Sequence, residues 1–462
     1  MKKIYLILRR RIQYYFYTIN FFFNGDKIFK KIKKIRSKKN KSEDKLEQLY
    51  KKEIKNPLAV FEYASYKISQ SDTTGFKILK DFEILRKEWL EKNQLDKKFG
   101  TFIPAQQFIG SLGNYYPLYY YILNHFYLEK NKTKPTVLLK ENVKITNPEI
   151  SKFFLPYLNV VENNSKFYKY NYLYEVNKVP LESVLPYKNK YFPWAAAMNF
   201  INQDLAKESI LENANFKISK AEVKRGKEKL AKLGIGDKDW FVVLHIREGK
   251  NHIFRNSNPD TYIMAIKEVI SRGGYVVRVG DNSMTRLPKI KGLIDYPFTN
   301  LKSDFMDVFL ASNCKFCIGT SSGYEGLPPL FGKPILFVNF LNTFEYFCYK
   351  DTDIFMPKTL IYKKNNELVP LKELFNFETG NLVTENSYKS KGIQIKDNTP
   401  EEILVATQEM FSLVNKKDQS HSFADYNLKF KKLLNNLYKN YFDYSLKPLA
   451  NLPSSFLKKY NF

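Results

Sequence analysis

Three short clusters in this chain combine side chains that bind anions or move protons. They are His245-Ile246-Arg247-Glu248 with His252 just beyond, Arg278-Val279-Gly280-Asp281, and Thr320-Ser321-Ser322-Gly323. An arginine can grip two oxygens of one phosphate through parallel N–H bonds. A Thr-Ser-Ser-Gly turn entering a helix offers hydroxyls, backbone N–H groups and the positive end of the helix dipole to the same anion. Together the clusters read as a diphosphate site. Departure of a diphosphate leaves negative charge, which Arg247, Arg278 and the Ser321/Ser322 turn can stabilise without a metal. Glu248 and His252 are the nearby groups able to take a proton, and a base from the N-terminal half is the other choice. The blander alternative is a core histidine at 245 and a structural ion pair at 247.

Four apolar runs must position these clusters: Trp240–Ile246, Gly274–Gly280, Lys315–Thr320 and Pro334–Asn339. They are continuous in β-branched and aromatic residues rather than alternating, which predicts strands buried on both faces of a parallel sheet. Between them, Tyr262, Ile263, Ile266, Val269 and Ile270 recur at helical spacing, with Gly273-Gly274 as the stop, and Phe305 to Leu310 repeats the pattern. The expected fold class is therefore α/β and doubly wound, with the clusters at the strand ends where open parallel sheets bind ligands.

At 462 residues the chain exceeds one ordinary core, and 44% hydrophobic with 16% aromatic residues excludes a largely disordered one. Lys+Arg of 75 against Asp+Glu of 47 gives +28, which favours anionic partners, though a general abundance of Lys, Asn, Ile, Phe and Tyr accounts for part of it. Cys314, Cys317 and Cys348 make no disulfide framework. Cys314 and Cys317 have metal-ligand spacing, but Cys317 falls in a buried strand and no second pair exists, so no metal site is expected. Asp351-x-Asp353 reads as a surface loop.

Residues 1–40 mix aromatics with charge, notably Arg9 to Arg11, Tyr14 to Tyr17, Phe21 to Phe23 and a lysine-rich run to Lys41. The apolar pieces are too interrupted to span a bilayer and no small-residue cleavage site follows. A basic helix in the membrane interface is one reading and a helix packed on the protein is the other. The segment from Asn56 to Leu233 forms a second, less regular α/β unit with strands near Phe102, Val137 and Val160. It includes the glycine-rich Ile109 to Asn114, in which Gly110 and Gly113 mark either a turn or a cleft loop, and the turn at Gly234 and Gly236 reads as a hinge. Beyond Phe340, helices are expected at Glu367–Phe375, Glu401–Val414 and Leu428–Tyr441.

Two such units resemble GT-B glycosyltransferases. The C-terminal half is more closely similar to a family of largely uncharacterised bacterial glycosyltransferases found with surface-polysaccharide functions. The resemblance rests on His245-x-Arg247-Glu248, Tyr262-x-x-Ala265-Ile266, Gly273 to Asp281, Asp295-Tyr296, Asp307-x-Phe309-Leu310 and Gly319 to Gly323. The His-x-Arg element and the serine motif are also similar to those of fucosyltransferases, whose arginine holds the donor β-phosphate. The resemblance implies a GT-B-like pair of Rossmann-like domains facing a cleft. Residues 1–56 would be an extension, 57–225 the acceptor domain, 226–420 the nucleotide-sugar domain and 421–462 a helical tail. His245, Arg247, Arg278 and Thr320 to Gly323 would bind donor phosphate, with Asp281, Asp295, Tyr296, Gly110 and Gly113 at the nucleotide or cleft. Glu325-Gly326 resembles the acidic motif of retaining GT-B enzymes, but the second glutamate, eight positions on, is replaced by Lys333, which favours inversion.

The function implied is sugar transfer from a nucleotide-diphosphate sugar to a glycan or lipid-linked acceptor, with no cofactor, in the cytoplasm or on the inner face of the membrane. A nucleotide-sugar epimerase of the same architecture would share the phosphate cleft without an acceptor. Nucleic acid is not an expected partner, since the lysines are dispersed and no binding module is recognisable.

Overall fold

In the computed structural model the described residues are 27–35, 43–70, 72–93, 100–140, 142–162, 176, 178–179, 181, 184–188, 190–210, 214–345, 350–416, 421–442 and 450–461. The chain is a mixed α/β protein that divides into two units. One comprises residues 1–107, 129–144 and 155–193; the other comprises 108–128, 145–154 and 194–462. Segments 108–128, 145–154 and 194–225, expected with the N-terminal half, thus cluster with the C-terminal one. The Gly234 turn, expected as a hinge, lies inside that second unit.

The first unit holds a parallel sheet of β1 (Phe102–Ile103), β2 (Thr136–Leu139) and β3 (Asn159–Glu162) in that order, and a hairpin of β4 (Val184–Tyr187) with β5 (Lys190–Pro193). Pro104 follows β1, an edge strand, where a missing N–H costs least. Its helical layer includes α1 (Glu43–Lys52) and α2 (Pro57–Ser69). Pro57 and the Asn56 side chain, which accepts from the Leu58 amide at 3.1 Å, start α2. Residues 27–35 are helical and place Phe29, Ile32 and Ile35 among Leu46, Leu49, Leu58 and Tyr63, while Lys30, Lys31, Lys33 and Lys34 face outward. For this stretch the apolar side is covered by protein, so the interfacial-helix expectation gives way to the packed alternative. The Arg9 to Phe23 segment lies outside the described residues. No helix among the described residues is long and apolar enough to cross a membrane.

The second unit is built on a six-stranded parallel sheet: β6 (Phe241–His245), β7 (Tyr275–Val279), β8 (Leu293–Asp295), β9 (Cys317–Gly319), β10 (Ile335–Phe340) and β11 (Ile354–Pro357). Its spatial order is β11-β10-β9-β6-β7-β8, so the winding reverses between β6 and β9. Every residue of β6 and β10 is buried, as the continuous apolar runs require when helices cover both faces. Those helices include α3 (Ile263–Ser271), which buries Ala265, Ile266 and Val269; α4 (Asp304–Asn313), capped by Ser303; and α5 (Pro400–Val414), opened by the Thr399/Glu402 capping box. A long helix, α6 (His421–Phe442), buries Phe430, Leu434, Leu437 and Tyr438. A two-stranded antiparallel sheet joins Thr359–Tyr362 to Ile393–Lys396.

One expectation is corrected here. Asp353 is not on a surface loop: it is 2% exposed, accepts from the Ile335 amide at 3.0 Å and the Lys350 amide at 2.9 Å, and burial pushes its carboxyl up to about 7. Cys314 and Cys317 are both buried, with the Cys314 thiol donating to the Ala311 carbonyl, and burial raises both thiols.

Candidate active site

The reversal of winding between β6 and β9 leaves a crevice at their carboxyl ends, since the chain departs from the two strands in opposite directions. The strands are in register there, Leu244 beside Ile318, and the Arg247 amide donates to the Thr320 hydroxyl at 3.1 Å. A pocket of about 530 Å³ opens at this point, within the second unit. From the β6 side it is lined by Arg247, His252 and Arg255, and from the β9 side by Ser321, Ser322, Gly323 and Glu325. Ser111, Gly113, Asn114 and Tyr116 line it from the glycine-rich loop, with Trp194, Phe337 and Phe340 adding aromatic surface.

The loop from 247 to 256 is fixed at its base. Asn256 bonds both the Gly249 amide, at 2.9 Å, and the Gly249 carbonyl, at 2.8 Å, and the Ser257 amide donates to the Arg247 carbonyl at 3.1 Å. Lys358 reaches in to donate to the Asn256 carbonyl at 2.5 Å and pairs with Asp397 at 2.7 Å. His252 takes a left-handed backbone, φ 54°, and is exposed ahead of a 3-10 turn at Ile253–Arg255. Arg255 donates to the Ser321 carbonyl at 2.6 Å, tying the loop to the serine turn, and Arg247 donates to the Asn251 carbonyl at 2.7 Å. Arg247 Nε is buried with no hydrogen-bond partner among the described residues. Two guanidinium groups from one loop therefore share a pocket with a turn rich in backbone N–H groups, the arrangement a diphosphate calls for.

Glu325 stands between the two strand ends. Its Oε1 accepts from the Thr320 amide at 2.8 Å and meets His245 Nδ1 at 2.9 Å, and His245 stacks on Tyr324 with 5.8 Å between ring centroids. The residue is 1% exposed, and its Oε2 has no hydrogen-bond partner among the described residues.

The structure thus gathers Arg247, His252, Ser321, Ser322, Gly323 and Gly113 at one pocket and leaves the other expected residues off its wall. His245 and Thr320 are buried behind it and hold Glu325 in place. Arg278 is corrected outright: it is 0% exposed, pairs with Glu248 at 2.5 Å and Asp295 at 3.1 Å, and donates to the Thr285 carbonyl at 2.6 Å. A guanidinium so committed is a bolt between β7, β8 and the loop after β6, not a phosphate ligand. Glu248 goes with it: one oxygen pairs with Arg278, the second accepts from the Thr285 amide at 3.0 Å, and the residue does not line the pocket.

Asp295 completes that bolt by also accepting from the Leu287 amide at 3.0 Å. Tyr296 is buried, its hydroxyl accepting from the Ser303 amide at 2.9 Å, and burial raises its phenol. Asp281 closes a local turn onto Ser283, whose hydroxyl holds the carboxyl below its usual range. Gly110 accepts from the Thr146 hydroxyl at 3.2 Å. The serine turn enters only a 3-10 turn (Tyr324–Gly326) and a short helix (Leu327–Leu330), so the expected dipole contribution is small. Arg255 and Trp194 escaped the functional reading of the sequence: the first sits in an aperiodic loop, and the second gains its place only through tertiary folding.

Comparison with known proteins returns little. No family model matches the chain, and no curated protein matches it. Among solved structures, the glycosyl transferase family 9 protein from Veillonella parvula DSM 2008 aligns with a TM-score of 0.28 and 10% sequence identity, covering 48% of this chain and 78% of that one.

Proposed function

We propose that this chain is a glycosyltransferase of GT-B type that moves a sugar from a nucleotide-diphosphate donor to a glycan or lipid-linked acceptor in bacterial surface-polysaccharide synthesis. The observation that carries the reading is the pairing of Arg247 and Arg255 with the Ser321-Ser322-Gly323 turn in one pocket at the reversal of a parallel sheet. A diphosphate leaving group develops charge on its oxygens, and two guanidinium groups held by the loop stabilise that charge in place of a metal. The aromatic surface of Trp194, Phe337 and Phe340 suits a planar base or a sugar face. His252, exposed at the rim, is the base candidate that remains once Glu248 is committed to Arg278. Transfer with inversion places the acceptor hydroxyl opposite the departing phosphate. The outward lysines of residues 27–35 favour work at an anionic membrane face, through charge rather than insertion.

The test is incubation of the chain with a panel of nucleotide sugars, with and without lipid-linked acceptors, read by mass spectrometry. Acceptor-dependent release of the nucleoside diphosphate supports the reading. Epimer formed without acceptor, or no turnover of any donor, overturns it.

A further inference from the structure

We infer that Lys358, a buried cation off the pocket wall, is a positioning residue that sets the two anion-binding guanidinium groups through the backbone of their loop. The inference deepens the nucleotide-sugar reading above and rests on it. Lys358 is 2% exposed and does not line the pocket. Two strands deliver it: Thr359–Tyr362 and Ile393–Lys396 run antiparallel with Thr359 opposite Lys396, which brings Lys358 and Asp397 together at the end of the pair. Their ammonium and carboxylate meet at 2.7 Å. The next residue, Asn398, locks this end to β10, since its side chain accepts from the Asn339 amide at 2.7 Å and its own amide donates to the Asn339 side chain at 2.6 Å. The Lys358 amide donates to the Phe340 carbonyl at 2.8 Å. The ammonium therefore stands on the main sheet.

From that base two bonds reach the anion loop. Lys358 Nζ donates to the Asn256 carbonyl, and the second Asp397 oxygen accepts from the Asn258 amide at 2.8 Å. Asn256 clamps Gly249 by both its amide and its carbonyl. Gly249 lies against Arg247, for a Cβ there would stand 2.9 Å from Nη2 of the guanidinium. Taking a lysine out of water is costly, and apolar residues of similar volume would serve stability as well or better. What the pair supplies is a fixed donor and a fixed acceptor for a loop without a strand ladder. Arginines carried on such a loop lose their grip on a diphosphate when the backbone shifts by about an ångström.

The experiment compares the full chain with three variants. Lys358→Met keeps the stem and removes the ammonium; Lys358→Met with Asp397→Leu removes both charges and leaves neither unpaired; Asn256→Ala removes the clamp. Each, and each Lys358 variant combined with Asn256→Ala, is measured by calorimetric titration of nucleoside diphosphates and by amide hydrogen exchange without ligand. Each of the three is expected to bind roughly tenfold more weakly, and adding a Lys358 variant to Asn256→Ala to cost no more than about twofold further. Amides of residues 249–256 are expected to lose protection while those of β6 and β9 keep theirs, whereas a merely structural role would lower protection across the sheet. Wild-type affinity in the doubly neutral variant, a full further loss on top of Asn256→Ala, or unchanged loop protection overturns the positioning role and leaves the diphosphate site standing. Absence of nucleoside-diphosphate binding to the wild type overturns the nucleotide reading and this inference with it.

Discussion

Gly113 and Gly323 meet backbone to backbone: a Cβ on Gly323 would stand 2.8 Å from the Gly113 amide nitrogen, and one on Gly113 would stand 3.1 Å from the Gly323 Cα. Because both neighbours are main chain, neither can yield without moving a loop. The glycine loop and the serine turn, far apart in sequence, thus form one continuous wall of the pocket.

Gly323→Ala is expected to push that wall open, costing about 1–3 kcal/mol in stability and weakening nucleoside-diphosphate binding. Gly100→Ala, where nothing lies within 4 Å of the added methyl, serves as the control and is expected to behave as wild type. Equal melting and binding in the two variants would remove the contact from the account.

Arg278→Ala is expected to act on the fold. It strips the guanidinium from Glu248 and Asp295, whose side chains are 16% and 19% exposed, and breaking a buried pair costs about 3–5 kcal/mol. Urea denaturation measures it. A variant as stable as wild type that loses only nucleotide binding would return Arg278 to the phosphate role.

Glu409 gives a pH dependence. Burial pushes its carboxyl up to about 6 from 4.5, and its oxygens accept from the Ser454 amide, at 3.3 and 3.1 Å. A raised folded pKa means that the contribution is fully present below the unfolded value and is lost as pH rises through the folded one. The thermal midpoint of the wild type relative to Glu409→Gln is therefore expected to fall between pH 4.5 and about 6. A difference that is flat, or that rises across this window, would contradict the assignment.

How much of this the sequence revealed depends on the range of the forces involved. The β6, β7, β9 and β10 strands were legible because burial on both faces writes itself as an unbroken apolar run. Arg247, Ser321 and Ser322 were singled out because strand ends in a parallel sheet are where such folds bind ligands, and the fold brings all three to one pocket. Arg278 sits at an equivalent strand end yet is a bolt, since only the fold brings Glu248 and Asp295 to it. Arg255 and Trp194 reach the pocket through an aperiodic loop and a distant segment, and no local periodicity reports such placement. Residues 108–128, grouped by sequence with the N-terminal half, make their contacts with the second unit, and the Gly113–Gly323 approach is one that no local pattern reports.

On the proposed function, chelation is expected to leave sugar transfer unchanged, because Arg247 and Arg255 would take the charge of the departing diphosphate. Activity lost in chelator and restored by manganese or magnesium would overturn a metal-independent route.

The most direct test of the central claim is calorimetric titration of nucleoside diphosphates into the wild type, Arg247→Ala and Arg255→Ala. A charge-assisted hydrogen bond contributes about 1.5–3 kcal/mol, so each variant is expected to bind roughly 10- to 100-fold more weakly while keeping a cooperative thermal unfolding transition. Unchanged affinity in both variants, or no binding by the wild type, would contradict the diphosphate site.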